Sequence, residues 1–445
     1  MPNGDKLESW KEIAAFLEKD ERTAMRWAQE RGLPVHRVPG GKRGRVFASK
    51  DEITRWLAGQ PETHAEATSP PAGPRLKLSV FRRHWLAAGA AAAVLVTALA
   101  LAIFSHAMRP RQLSRISFTD NAVQAWDSEG HRLWAYTFAQ RFDVHREHVT
   151  TLEELSRVVD LRGDGHKEVL IVAPFQADLN NQDTSRYEVD CFSSRGKLLW
   201  SYAPEAKFQF GQHDLQGLWA VFDLFVSAHD GKSSIWVTSG HQLWGNSFVV
   251  QLDAQTGNAT TRFVNTGVIY KLNELKTPRG SYLLAAGFNN EYEAGILAVI
   301  DENQPFAASP QTAGTRHKCD SCPTGDPFAY LVFPRSEINE LRAIYEDPVR
   351  NIIVSGETIE VRKYELRQEA NVSTFYQFRA DAGFQPVSLR YDSSYDMLHR
   401  QLSSEHKLNH SLADCPERLH PKPVRLWTPS SGWTELKFPP AKASD

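Results

Sequence analysis

A run of twenty residues without a charged side chain, from Trp85 to Phe104, most constrains what this 445-residue chain can fold into. An α-helix of about 20 apolar residues is long enough to cross the hydrocarbon core of a bilayer. Apolar side chains fall on every face of this run, so a helix here lacks the polar side that a helix of a soluble protein turns towards water. A cleaved signal peptide is shorter and starts near the N-terminus. We therefore predict a transmembrane helix over residues 85–106.

The two sides of this helix differ in charge and in cysteine content. Residues 1–84 contain 16 Lys and Arg against 11 Asp and Glu, a net charge of +5, whereas the whole chain carries −2. All four cysteines follow the helix. A reducing compartment in front of the helix and an oxidising one behind it would suit that distribution. We predict a folded domain over residues 1–58, a flexible basic linker over 59–84, the helix, and a C-terminal domain over 112–445.

The first sixty residues predict a helix, a second helix, a hairpin and a third helix, in that order. An apolar stripe from Trp10 to Leu17 is typical of a short helix. Asp20 is of a type that caps a helix start and precedes the second helical pattern. Two short extended runs, 35–38 and 45–48, predict a hairpin with a basic tip. Residues 49–52, "SKDE", have the pattern of a capping box before the third helix.

The second helix and the hairpin tip carry side chains suited to a DNA groove. Guanidinium groups bind guanine edges or phosphates, and a threonine offers a hydroxyl and a methyl group. Basic side chains at a hairpin tip neutralise phosphates and fix the register of a reading helix. The candidate DNA-binding residues are Arg22, Thr23, Arg26, Lys42, Arg43 and Arg45. The alternative is that these charges form a solvated face and that the module contacts a protein.

About residues 9–57, "SWKEIAAFLEKDERTAMRWAQERGLPVHRVPGGKRGRVFASKDEITRWL", resemble the winged helix-turn-helix shared by MerR-type regulators and excisionase-like DNA-binding proteins. The resemblance implies a small α+β domain whose helix after Asp20 enters the major groove and whose wing, residues 39–44, contacts the backbone. It also implies double-stranded DNA as the partner. The chain departs from MerR regulators because no long dimerisation coiled coil and no cysteine effector pocket follow. Dimer formation and metal sensing therefore do not carry over.

In the C-terminal domain two phrases recur with a similar spacing. The first is a strand, a glycine turn and an aromatic strand, and its glycines, Gly130, Gly196 and Gly257, lie 66 and 61 residues apart. The second contains Asp164 and Asp230, which are again 66 residues apart. A shared period in two phrases is typical of radially repeated sheets, because one blade cannot cover both its faces alone. We predict an all-β propeller of about five to seven blades, with a pair of β-sandwiches as the alternative.

The phrase "DLRGDGHKEVLIV" resembles the FG-GAP or VCBS repeat of integrin-like propellers, and "RGKLLWSY" is similar to the tryptophan-bearing strand of PQQ-type repeats. The first resemblance implies a loop that holds Ca²⁺, for which Asp160, Asp164 and Glu168 offer oxygens. Arg162 opposes this interpretation because its charge would repel the ion. The alternative is an Asp-Gly turn that bonds its own backbone, and no metal is predicted.

The motif "HKCDSCP" places Cys319 and Cys322 in a CxxC arrangement. A structural disulfide among Cys319, Cys322 and Cys415 is favoured over redox chemistry or a zinc site that includes His317. Pro323 stands where haem attachment would need a histidine. The sequence contains no nucleophile elbow, phosphate loop or HExxH motif, so neither an enzyme nor a cofactor is predicted. The tryptophans of this domain are expected to pack between blades.

These features predict a bacterial, membrane-anchored one-component transcriptional regulator. A cytoplasmic DNA-binding head would be joined through one pass of the inner membrane to a periplasmic propeller that receives an unknown ligand or protein. Basic residues flank the helix on both sides and do not fix its orientation, but DNA places the N-terminus in the cytoplasm. A homodimer is the simplest route for a signal, because one small winged helix buries little DNA surface. The alternative is an envelope adhesion or scaffold protein whose N-terminal module binds a cytoplasmic protein. A quinone-cofactor dehydrogenase, suggested by "RGKLLWSY", lacks an active-site pattern.

Overall fold

Strands dominate the computed structural model of this protein, with 46% of the described residues in strands and 14% in helices. The chain divides into unit 1, residues 1–106, and unit 2, residues 107–445. The two units are described separately. The structure describes residues 5–37, 46–59, 97, 111–143, 151–178, 181–229, 232–341, 347–365, 371–381 and 383–442.

Unit 1 combines three short helices with a three-stranded antiparallel sheet. Its elements are β1 (Lys6–Leu7), α1 (Trp10–Phe16), α2 (Glu21–Glu30), β2 (His36–Arg37), β3 (Val46–Ser49) and α3 (Lys50–Ala58), and the strand order is β1-β3-β2. The predicted N-cap of α2 is confirmed, because Asp20 accepts a hydrogen bond from the Thr23 backbone N–H at 2.9 Å. The core of the unit forms around Ile13, Ala24 and Ile53, which are fully buried.

Unit 1 does not support the predicted winged helix-turn-helix domain over residues 1–58. Its helices are short, with 7, 10 and 9 residues, in a chain made mostly of strands. The sequence pattern did not predict β1, which pairs with β3 and converts the expected hairpin into a three-stranded sheet. The predicted capping box is also wrong. Ser49 makes no side-chain cap bond, and Glu52 lies 2.9 Å from His36 instead.

The predicted transmembrane helix over residues 85–106 lies, apart from Thr97, outside the described residues, as does the predicted linker beyond Gly59. Within the part of the chain that the structure describes, no helix is long and apolar enough to cross a bilayer. The helix Ser393–Ser404 has 12 residues, or about 18 Å at about 1.5 Å per residue, against a hydrocarbon core of about 30 Å. The single membrane pass, the inner-membrane location and the periplasmic C-terminal domain are therefore not supported.

The described residues of unit 2 form six separate sheets, mostly from strands that follow one another along the chain. The first sheet contains β4 (Arg115–Phe118), β5 (Ala122–Trp126) and β6 (Arg132–Thr137). The second contains β7 (Arg157–Val159), β8 (Glu168–Asp178), β9 (Asn181–Phe192) and β10 (Leu198–Tyr202). The third contains β11 (Lys207–Phe210) and β12 (His213–Gln216). The fourth sheet contains β13 (Trp219–His229), β14 (Lys232–His241), β15 (Ser247–Leu252), β16 (Ala259–Asn265) and β20 (Ala307–Ala308), which follows three strands of the fifth sheet along the chain.

The fifth sheet has six strands and the sixth has four. The fifth contains β17 (Ile269–Thr277), β18 (Gly280–Asn289), β19 (Ala294–Asp301), β21 (Ala329–Val332), β26 (Val424–Thr428) and β27 (Gly432–Leu436). The sixth contains β22 (Val349–Ser355), β23 (Thr358–Glu365), β24 (Val372–Arg379) and β25 (Pro386–Tyr391). The helices of unit 2 are α4 (Glu337–Glu340), α5 (Ser393–Ser404) and α6 (Pro416–Leu419).

These sheets do not form the predicted propeller of about five to seven blades, some of them irregular, so the predicted fold class is wrong. Among the described residues the sheets hold from two to six strands, and none is closed. Hairpins build most of each sheet, but β20 joins β16 in parallel and β26 joins β21 from far along the chain. Such pairings depend on contacts distant in sequence, which the spacing of similar phrases does not encode.

The repeated glycine-turn phrases nevertheless mark a repeated contact. The indole N–H groups of Trp134 and Trp200 each donate to a backbone carbonyl of the next such turn, at 3.0 and 3.1 Å. A Cβ atom added at Gly196 would lie 2.7 Å from the Trp134 ring, and one added at Gly257 would lie 2.7 Å from the Trp200 ring. Each tryptophan therefore packs on the glycine turn of the following phrase.

Candidate functional sites

The predicted DNA-binding residues are only partly within the described chain. Arg22 and Arg26 are exposed on α2, and Arg26 lies 3.9 Å from Glu30. The Thr23 hydroxyl donates to Asp20 at 2.7 Å and so belongs to the helix cap. Outside the described residues lie Lys42, Arg43 and Arg45. Double-stranded DNA as a partner and a homodimer stay predictions.

The turn considered for calcium bonds to its own chain. The Asp160 carboxylate accepts from the backbone N–H of Gly165 at 2.8 Å and of Gly163 at 2.7 Å, and these bonds lower its pKa. The Glu168 carboxylate is buried and accepts from the Arg162 guanidinium at 3.0 Å. The third candidate, Asp164, accepts from the His166 backbone N–H at 2.9 Å. Because all three carboxylates already have donors, the geometry favours the Asp-Gly turn over an ion site.

Cys319 and Cys322 form a disulfide, whereas Cys415 is a buried free thiol elsewhere in unit 2. The disulfide loop lies along β11, where three hydrogen bonds of 2.8–3.1 Å attach it to the strand and the following turn. The loop is therefore fixed by these hydrogen bonds and by its disulfide. This attachment positions the two residues that precede it, Arg316 and His317, beside the turn between β11 and β12.

A cavity of about 420 Å³ lies beside this loop. Phe210, Leu215 and Phe288 give it apolar walls. Trp244 also lines it and remains 52% exposed, and its ring lies 4.7 Å from that of His213. The volume, and the mixture of aromatic walls with a few polar groups, are typical of sites that bind small molecules.

Arg316 supplies positive charge to this cavity. In the described part of the chain no carboxylate lies within salt-bridge distance of its guanidinium, and its Nε donates to His317 Nε2 at 3.2 Å. Burial and this neighbouring cation lower the pKa of His317, which favours the neutral ring. The acidic residue of the wall, Glu293, pairs with Arg335 at 2.8 Å. The cavity therefore combines aromatic surface with a guanidinium that forms no salt bridge to any carboxylate of the described residues.

A second group of titratable side chains converges in the C-terminal part of unit 2. Glu337, His399, His410 and Cys415 bring one ligand atom each within 4.8 Å of the others. His399 Nε2 lies 3.0 Å from the Glu337 carboxylate and 3.3 Å from His410 Nε2. The Cys415 thiol donates to the Glu337 carboxylate at 3.1 Å. His399 and Cys415 are fully buried.

Polar contacts between short elements position this cluster. The Ser336 hydroxyl, at the start of α4, donates to Glu365 of β23 at 2.6 Å. The Glu417 carboxylate of α6 accepts from the Glu337 backbone N–H at 3.2 Å and from the Tyr395 hydroxyl of α5 at 2.8 Å. These bonds join α4, α5 and α6. Glu337 projects from α4 and His399 from α5, and Cys415 directly precedes α6.

The cluster holds its acidic groups in opposite protonation states. Burial alone would raise the pKa of Glu337, but hydrogen bonds from His399, Cys415 and His410 outweigh it and lower the pKa to about 2. Burial and the bond to Glu337 raise the pKa of Cys415 to about 12. Without a further cation, the cluster therefore combines a carboxylate with a neutral thiol at neutral pH.

Comparison with known proteins adds no assignment to these geometries. No protein-family model and no curated protein matches the chain. The resemblances to MerR and excisionase-like domains, to FG-GAP or VCBS repeats and to PQQ-type repeats are therefore not supported.

The sequence patterns predicted neither the cavity nor the four-residue cluster. The cavity combines residues from strands and turns that no motif links. A signal for the cluster was present in the segment "HRQLSSEHKLNHSLADC", which holds three histidines and a cysteine within residues 399–415. The prediction instead placed Cys415 with Cys319 and Cys322 as a possible disulfide partner.

Proposed function

We propose that unit 2 is a binding domain for a small organic anion with a flat ring, taken up in the cavity beside Trp244 and Arg316. The observation that carries the proposal is the convergence, on one cavity of about 420 Å³, of a half-exposed indole and a guanidinium that forms no salt bridge within the described part of the chain. The indole offers a stacking face, and the guanidinium offers a fork of donors for a carboxylate, sulfonate or phosphate.

The fixed walls support binding without large rearrangement. The disulfide loop holds Arg316 against the β11–β12 turn, and His241 Nδ1 accepts from the Trp244 backbone N–H at 3.3 Å. Asn290 also donates to the Trp244 carbonyl at 3.3 Å. A wall that is ordered before binding costs less conformational entropy when the ligand arrives.

Titration of the full-length protein with anilinonaphthalene sulfonate, an aromatic anion whose fluorescence rises on binding, tests this proposal. We expect saturable binding that Trp244→Ala and Arg316→Gln each weaken about tenfold, the effect of losing one charged hydrogen bond or one stacking face. Trp433→Phe and Arg195→Gln change an exposed tryptophan and an exposed arginine outside the cavity walls and should leave binding unchanged. Equal binding by all four variants and the wild-type protein would refute the assignment of the cavity.

Of the regulator hypothesis, we retain only ligand binding by the C-terminal domain. The coupling of ligand binding to transcription stays a prediction, as do the alternative of a scaffold protein and the absence of enzymatic activity. The experiment above separates a binding domain from a scaffold, because a scaffold has no need of a charged small-molecule cavity.

A further inference from the structure

We infer that Glu337, His399, His410 and Cys415 form a tetrahedral zinc site that fixes the C-terminal part of unit 2. The four side chains supply one carboxylate oxygen, two imidazole nitrogens and one sulfur. Zinc binds all three donor types and in structural sites is almost always four-coordinate. The site is independent of the cavity proposed for ligand binding.

The separations between the donor atoms fit a shared ion. Two nitrogens bound at about 2.0–2.1 Å in a tetrahedron lie about 3.3 Å apart. His399 Nε2 and His410 Nε2 are 3.3 Å apart, and His410 Nε2 lies 3.2 Å from a Glu337 oxygen. Cys415 Sγ lies 3.1 Å from the other Glu337 oxygen, so a small adjustment of these side chains would give all four a common centre.

The outer nitrogens of both histidines point to hydrogen-bond acceptors. His410 Nδ1 lies 2.9 Å from the Asn409 side-chain oxygen and therefore carries its proton there. The Ser403 hydroxyl donates to a backbone carbonyl, because its oxygen lies 2.8 Å from the carbonyl oxygen of His410 and 2.9 Å from that of His399. The same hydroxyl oxygen lies 3.4 Å from His399 Nδ1 and can accept a hydrogen bond from it. With an ion bound and the proton of each neutral ring on Nδ1, both Nε2 lone pairs face the cluster centre, and the ion replaces the hydrogen bonds that the Nε2 atoms make to Glu337 in its absence. Metal-binding histidines show this arrangement, with the outer N–H fixed by a protein acceptor.

The sequence between these ligands gives the ion a structural role. Residues 405–415 form no strand and no helix, and most of their side chains are exposed. Such a segment buries too little apolar surface to offset the entropy of ordering its backbone. His410 and Cys415 lie in or at the end of it, whereas His399 projects from α5 and Glu337 from α4. A metal bound to all four would fasten the segment to both helices, with no coordination position left for a substrate.

Metal analysis of the full-length wild-type protein is the first test. We expect about one equivalent of zinc per chain, removed by a chelator and restored by Zn²⁺. Removal should lower Tm and speed amide exchange in residues 405–415. Co²⁺ added to the zinc-free protein should give tetrahedral visible bands and a thiolate charge-transfer band. A protein that is isolated without zinc and takes up neither ion would overturn the inference without any variant.

Substitutions locate the ion. Cys415→Ser should abolish the thiolate band, and His399→Ala should abolish stoichiometric zinc binding. Asn409→Ala, an exposed change to a positioning residue, should weaken zinc binding about 10- to 100-fold and keep the cobalt spectrum. His420→Ala removes an exposed histidine five residues after Cys415 and should leave binding unchanged. Wild-type zinc content and spectra in Cys415→Ser and Asn409→Ala would place the metal elsewhere and overturn the site.

Discussion

A buried ion pair beneath α4 gives the sharpest prediction about stability. Lys363 of β23 and Asp347 are 1% and 0% exposed, and Lys363 Nζ lies 2.8 Å from the carboxylate. The ammonium also donates to the Pro334 carbonyl, three residues before Glu337. Burial lowers the pKa of Lys363, but the Asp347 charge more than compensates, so the pKa lies above its usual value and the side chain is charged.

Lys363→Met should lower the free energy of unfolding by about 3–5 kcal/mol, because Asp347 keeps its buried site but loses the ammonium that contacts it. The double variant Lys363→Met with Asp347→Leu removes both charges and should recover most of that loss, as replacement of buried pairs by apolar residues does. Urea unfolding of the wild-type protein, Lys363→Met, Asp347→Leu and the double variant, followed by near-ultraviolet circular dichroism, gives the coupling energy. A loss below about 1 kcal/mol for the single variant, or a double variant destabilised by the sum of the single changes, would refute the reasoning.

Three further predictions concern other parts of unit 2. Burial raises the pKa of Asp190 from 3.8 to about 6. The destabilisation caused by burying the charged carboxylate is therefore absent below about pH 4 and complete above about pH 6. Asp190→Asn should therefore stabilise the protein by up to about 3 kcal/mol at pH 7.5 and flatten the fall in Tm between those values. Gly196→Ala should lower the free energy of unfolding by about 1–3 kcal/mol more than Gly130→Ala does. Both glycines have positive φ, but only at Gly196 would the added Cβ lie 2.7 Å from the Trp134 ring. Equal Tm values for the two variants would contradict this. Reduction of the Cys319–Cys322 disulfide should weaken binding of anilinonaphthalene sulfonate, and unchanged affinity would show that the loop does not need its cross-link.

Local signals in the sequence predicted local structure well. Asp20 caps α2 as its residue type and position indicate. The spacing of Gly196 and Gly257 predicted a repeated unit, and each glycine does receive a tryptophan from the preceding phrase. A residue's preference for a cap or a left-handed turn depends on a few neighbours in the chain, which the sequence displays directly.

The assembly of the sheets could not be predicted in the same way. Spacings of 66 and 61 residues suggested five to seven propeller blades, some of them irregular, yet β20 pairs with β16 and β26 pairs with β21 across long stretches of sequence. Whether a short strand such as Ala307–Ala308 adds to one edge or another is decided by a small difference in buried area. The apolar run at Trp85–Phe104 likewise indicated a membrane helix from its composition alone, and the described residues do not support one.

The four-residue cluster shows why a metal centre can escape motif analysis. Recognised zinc motifs keep two ligands within a few residues, so that one turn presents both. Here His399 and His410 are separated by the end of α5 and an irregular segment, and the four strands of the sixth sheet lie between Glu337 and His399. Their approach is set by the buried bonds of Ser336, Glu365 and Glu417, none of which binds the proposed ion. The sequence holds the ligands, but the distances between them are properties of the packed core, and a helix rotated by one residue would separate His399 from the other three.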